Sequence, residues 1–168
     1  MKKIFNTEFY SEQESEGGKE GSKKLHELEK MGKYVFHGSP VGDIEELEPR
    51  QAHNYKEGEE PQEDGPPAVV ASPYADIAIF RALVRKDKTG FESDGKGNLH
   101  FRASSGALKS AKDAVGYVYV FDKTNFQPKA GAPEASMGWR SEHVAKSLFI
   151  VEVHYNDLAL NNIEIIEN

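Results

Sequence analysis

Apolar and polar positions alternate through the second half of the chain. "LHFRA" (Leu99–Ala103) and "GYVYVF" (Gly116–Phe121) show the pattern, and "SLFIVEVHY" (Ser147–Tyr155) is the longest β-prone run. Successive side chains of a strand point to opposite faces, so these runs predict strands, with "IEII" (Ile163–Ile166) as a last short one. The stretches "SDGKGN", "KTNFQPKAGAP" and "YNDLALNN" carry the turn residues that separate them. The first half has a helical period instead. Leu25, Leu28 and Met31 predict a short amphipathic helix over "KKLHELEKM", closed by Gly32. Ile77, Phe80 and Val84 share a face of a second helix, "PYADIAIFRALVRK", with Pro73 in its first turn and Ser72 as N-cap. Two short strands, "YVF" (Tyr34–Phe36) and "AVVAS" (Ala68–Ser72), complete the pattern. Helices early and strands late, without regular βαβ alternation, predict an α+β fold with a largely antiparallel sheet.

Composition narrows the function classes. At 168 residues the chain fits one domain, and the predicted boundaries are a flexible tail over residues 1–24 and a single domain over 25–168. The tail prediction rests on the Glu-, Ser-, Gly- and Lys-rich stretch Ser11–Ser22, which has nothing to bury. Net charge is -7, which argues against a nucleic-acid partner and an anionic membrane. No cysteine is present, so disulfides, thiolate metal sites and a catalytic thiol are excluded, in keeping with a cytoplasmic location. No apolar run is long enough to span a bilayer, and the N-terminus lacks the apolar core of a signal peptide. The polar stretch Gln51–Pro67 is longer than most compact domains place in a loop.

Three segments carry candidate chemistry. His37-Gly38-Ser39 ends the strand "YVF", "VVASPYADIAIF" joins a strand to a helix and ends on Phe80, and Glu142-His143 leads into a late strand. Each has an ordinary structural reading: a turn, a core aromatic, a solvated glutamate. In this order they resemble the ADP-ribosyltransferase superfamily, over roughly Tyr34 to Ile166. The resemblance implies two packed, mostly antiparallel sheets and NAD as substrate. His37 would then hydrogen-bond a ribose hydroxyl, and Gly38 would bind the nicotinamide carboxamide through its bare backbone. Phe80 would stack on nicotinamide, and Glu142 would stabilise the positive charge that develops on the ribose. Ser39 and Ser72 belong to the same motifs and join the NAD-binding set. Arg50, in "LEPR", matches a diphosphate.

Val69 stands where the family often has the first of two aromatics, so half of the aromatic clamp is missing or is supplied by another residue, with Tyr55 and Tyr74 as candidates. Arg140, two before Glu142, replaces the Glu or Gln of arginine-modifying members and disfavours arginine as acceptor. The acceptor, a protein among the candidates, stays unidentified, with NAD hydrolysis as the outcome when it is lacking. Three alternatives remain: a non-catalytic nucleotide- or protein-binding module of the same fold, a tRNA 2'-phosphotransferase-like enzyme, and a metal site drawn from His37, His53, His100, His143 and His154. The histidines lack the spacing of a helix-borne ligand pair. No metal is expected to take part.

Overall fold

The structure, a computed structural model, describes residues 3–5, 19–54, 58–84 and 89–166. Along the chain run β1 (Lys3–Phe5), α1 (Glu20–Lys30), β2 (Tyr34–Ser39), β3 (Glu46–Leu47), β4 (His53–Asn54), β5 (Gln62–Glu63), β6 (Val69–Ala71) and α2 (Ala75–Leu83). They are followed by β7 (Thr89–Ser93), β8 (Leu99–Ser104), α3 (Ser105–Ala111), β9 (Gly116–Asp122), β10 (Gln127–Pro128), β11 (Trp139–Ser141), β12 (Ala145–Lys146), β13 (Phe149–Val153) and β14 (Ile163–Ile166). The fold is α+β with mostly antiparallel sheets. Parallel pairing joins β1 to β13 and β14 to β8. No helix among the described residues is long and apolar enough to cross a membrane.

The central sheet has the order β1-β13-β9-β2. Of its two inner strands, β9 explains the layering, because both of its faces are covered. Val118 and Val120 point into a core built with α1, α2 and the sheet β14-β8-β7, while Tyr119 and Phe121 point into a second core. That second core lies against the small sheet β10-β11-β6, through Val69, Ala71 and Trp139. The alternating run "GYVYVF" therefore has apolar partners on either side, as a strand buried on both faces requires.

Two glycines let α2 lie close on this sheet. A Cβ on Gly38 would fall 1.8 Å from the carbonyl oxygen of Ala78, and one on Gly116 would fall 2.7 Å from that of Ala82. The helix begins at Ala75, two residues later than its expected Pro73 start. Ser72 is held in the sheet by two backbone bonds with Phe36, and its hydroxyl accepts from the Tyr74 N–H at 3.1 Å. The first N–H of the helix, on Ala75, donates to the Glu29 carboxylate of α1 at 2.6 Å, and burial raises the pKa of that carboxyl. His26 of α1 lies 2.8 Å from Asp76, and this bond raises the imidazole pKa.

The first helix also differs from its sequence expectation, starting at Glu20 within the stretch expected as tail. Its cap comes from far along the chain. Buried Asp157 accepts the Ser22 N–H at 2.8 Å and the His154 N–H at 2.8 Å, and Gly21 leaves the room for that approach. Removing a buried acceptor strands both donors. Asp157→Ala is expected to lower unfolding stability by about 3 kcal/mol, read as a reduced midpoint in urea denaturation. A loss within the scatter of neutral surface substitutions would show that water replaces the carboxylate.

Candidate functional site

The candidate residues gather around β6, a strand of three residues with neighbours on both sides. On one side Phe36 and Ser72 exchange both backbone bonds, at 2.7 and 2.8 Å. Beyond that pair β2 leaves β6, and Arg50 takes over by exchanging bonds with Ala68 at 3.1 and 3.0 Å. Val70 faces the break between the two contacts. Its carbonyl lies 2.8 Å from Nδ1 of His37. A carbonyl only accepts, so Nδ1 carries the proton, which fixes the ring's tautomer and orientation. Edge-on contact with Tyr119, at 6.5 Å between ring centroids, seats the imidazole from the side. Tyr119 in turn holds the following loop, donating its hydroxyl proton to the Val41 carbonyl and accepting from the Ile44 N–H.

Gly38 combines two roles. In an antiparallel ladder the N–H and C=O pairs of successive residues point to opposite sides of the strand. Phe36 spends its pair on Ser72, so Gly38, two residues on, directs its own pair to the same side, into the break. Packing gives this position a need for glycine of its own. Its open face meets the backbone of α2, where any Cβ would collide with Ala78. The glycine is set by helix packing, and the backbone donor and acceptor reach the break at right angles to that contact.

On the other side β11 pairs with β6, with Ser141 opposite Val69. The chain then bends. Ser141 Oγ lies 3.3 Å from both the N–H and the carbonyl of His143, which closes a tight turn with Glu142 at its apex, exposed. Glu142 lines a cleft of about 400 Å³ together with Ala68, Gln127, Lys129, Arg140 and His143. Arg140 is the anchor of this wall. Its guanidinium donates to the Asp64 carbonyl and carboxylate, both at 2.7 Å, and Lys129 pairs with the same carboxylate. Those hydrogen bonds, from Lys129 first and Arg140 second, hold the Asp64 carboxyl below the usual carboxylate range. Within the expected long loop Gln51–Pro67 the described residues include the antiparallel pair β4 and β5, whose base is tied down by Asp64 and by Gln51, which donates to the Gly65 carbonyl at 2.8 Å.

The sheet order brings His37, Gly38, Arg50, Ser72 and Glu142 to the strand β6 or its immediate neighbours. His37 follows the Phe36–Ser72 pair on one side of β6, and Glu142 follows the Ser141–Val69 pair on the other. Phe80 is not among them. It is 1% exposed and packs against Phe101 at 4.8 Å between centroids and against Phe91, so it has no open ring face for nicotinamide. Val69 is buried in the second core, and Tyr74 donates its hydroxyl proton to the Ala135 carbonyl. Tyr55 lies outside the described residues. Ser39 and Ser72 are buried, and their hydroxyls accept from Val41 N–H and Tyr74 N–H, so both serve turns rather than an open surface. Asp64 and the Val70 carbonyl were not legible in advance, because nothing local marks a partner so many residues away. Among the described residues no group of His, Asp and Glu is placed to hold a metal ion. Comparison with protein-family models, with curated proteins and with solved structures found no match.

Proposed function

We propose that this chain cleaves NAD at the bond between ribose and nicotinamide and passes ADP-ribose to an acceptor. The observation that carries the proposal is the arrangement around β6. Gly38, two residues past the Phe36–Ser72 pair, and an oriented His37 lie on one side, and a carboxylate at the tip of a braced turn lies on the other. Gly38 would bind the flat carboxamide through one N–H and one C=O, His37 would lie beside a ribose, and the Arg50 fork would meet the diphosphate.

Glu142 would supply the electrostatic part of catalysis. As the glycosidic bond breaks, nicotinamide leaves with the bonding electrons and the sugar becomes cationic. A carboxylate fixed beneath it stabilises that charge only as it forms, which is where binding accelerates a reaction. Lys129 and Arg140 line the same cleft, but both are engaged by Asp64 and so leave the Glu142 charge unspent. Purified protein given NAD is expected to release nicotinamide, at a rate that EDTA leaves unchanged because the carboxylate does the stabilising. Absence of nicotinamide release rejects the proposal.

A second reading follows from Phe80 and Val69, which are both buried and so provide no aromatic clamp for nicotinamide. It is a module of the same fold that binds a nucleotide without chemistry. Binding of NAD without nicotinamide release would favour it.

A further inference from the structure

A second cleft adjoins the one that holds Glu142. It measures about 740 Å³ and shares Asn125, Gln127, Ser141 and His143 with the smaller cleft, while Glu142 lines only the smaller and Glu46 and Lys146 only the larger. His143 therefore stands at the join, one residue past the proposed catalytic carboxylate. We infer that the larger cleft receives the acceptor, that the acceptor presents a hydroxyl group, and that His143 takes the proton from it. This inference rests on the proposed NAD chemistry and extends it to the second substrate.

The chemistry of the walls selects the acceptor class. Asn125, Gln127 and Thr124 offer hydrogen bonds without net charge, and the charged pair Lys146–Glu46 is internally matched at 3.3 Å. Such a wall suits a neutral polar molecule and gives no counter-charge to an amine or a phosphate. A neutral hydroxyl, unlike an anion, must lose its proton as it attacks. In the step proposed, the ribose C1'–N bond breaks and nicotinamide departs with its electrons. A new C1'–O bond forms from the acceptor oxygen, and the hydroxyl proton passes to the His143 imidazole and from there to solvent. Imidazole is the side chain suited to accept a proton near neutral pH. The turn braced by Ser141 sets Glu142 and His143 side by side in sequence, so one residue meets the sugar and the next meets its attacker.

The test compares three nucleophiles on NAD: water, methanol and azide. Azide carries no proton, so it needs no base. His143→Gln is expected to lower hydrolysis and methanolysis about 100-fold while azidolysis stays at the wild-type rate. Glu142→Gln is expected to lower all three alike. His143 is exposed, so the variant should melt with the wild type. If His143→Gln leaves all three rates unchanged, or lowers azidolysis as much as hydrolysis, His143 is not the base and the inference falls while the NAD reading stands. If wild-type protein releases no nicotinamide with any nucleophile, the NAD reading fails first and takes the inference with it.

Discussion

Gly38→Ala is expected to cost about 3 kcal/mol or more of unfolding stability, the largest effect of any single methyl addition in the described chain. The reason is the identity of the atoms in the way. The Cβ would sit 1.8 Å from the Ala78 oxygen and 2.8 Å from the Ala82 nitrogen, and both belong to the backbone of α2. A side chain can swing aside, whereas a helix must move as a body. Lifting α2 would separate Ala82 from Gly116 and open the contact of Phe80 with Phe101, where packing is close. Against a total of roughly 5–15 kcal/mol for a folded domain, the loss is large enough to shift urea midpoints beyond dispute. Gly106→Ala is the matched control. Its Cβ meets nothing within 4 Å, and it lies inside α3, where alanine favours the helix by up to about 1 kcal/mol. Equal stabilities of the two variants would mean that α2 does not rest on β2 as described.

Glu142→Gln is expected to reduce nicotinamide release about 10²–10³-fold, the loss seen when one preorganised electrostatic group is removed from a reacting centre. The exchange keeps the shape of the side chain and removes only its charge. Because Glu142 is exposed at a turn held by Ser141, the fold has no stake in it, and the melting temperature should not move. Under the proposed reaction the two variants separate activity from stability: Gly38→Ala is expected to act through folding and Glu142→Gln through nicotinamide release. Release within a few-fold of wild type in Glu142→Gln would remove the carboxylate from the mechanism and the ADP-ribosyl transfer reading with it.

The elements that were legible in advance are those whose evidence is local. β8, β9, β13 and β14 follow from alternation, and the apolar stripe of α2 follows from its helical period. What escaped the sequence depends on distant partners. The start of α1 at Glu20 relies on Asp157, and the β4–β5 pair within Gln51–Pro67 relies on Arg140 and Lys129 meeting Asp64. Phe80 shows the same limit from the other direction. An aromatic at the right spacing reads equally as a stacking platform or as core, and only the arrival of Phe91 and Phe101 from β7 and β8 decides for core. Gly38 stands out by residue type for a ligand's approach, but its packing need is invisible locally: the helix that forbids its Cβ is forty residues away in sequence.

The shortness of β6 has a consequence for how such a site can change over time. Five consecutive positions, Ala68 to Ser72, hold Arg50, the His37 ring, β11 and Phe36 in fixed relation. Adding or deleting one residue there would turn every side chain in the stretch to the opposite face. A change of length is better accommodated in flanking segments such as Ala130–Ala135, outside the stretch that holds the groups around β6 together.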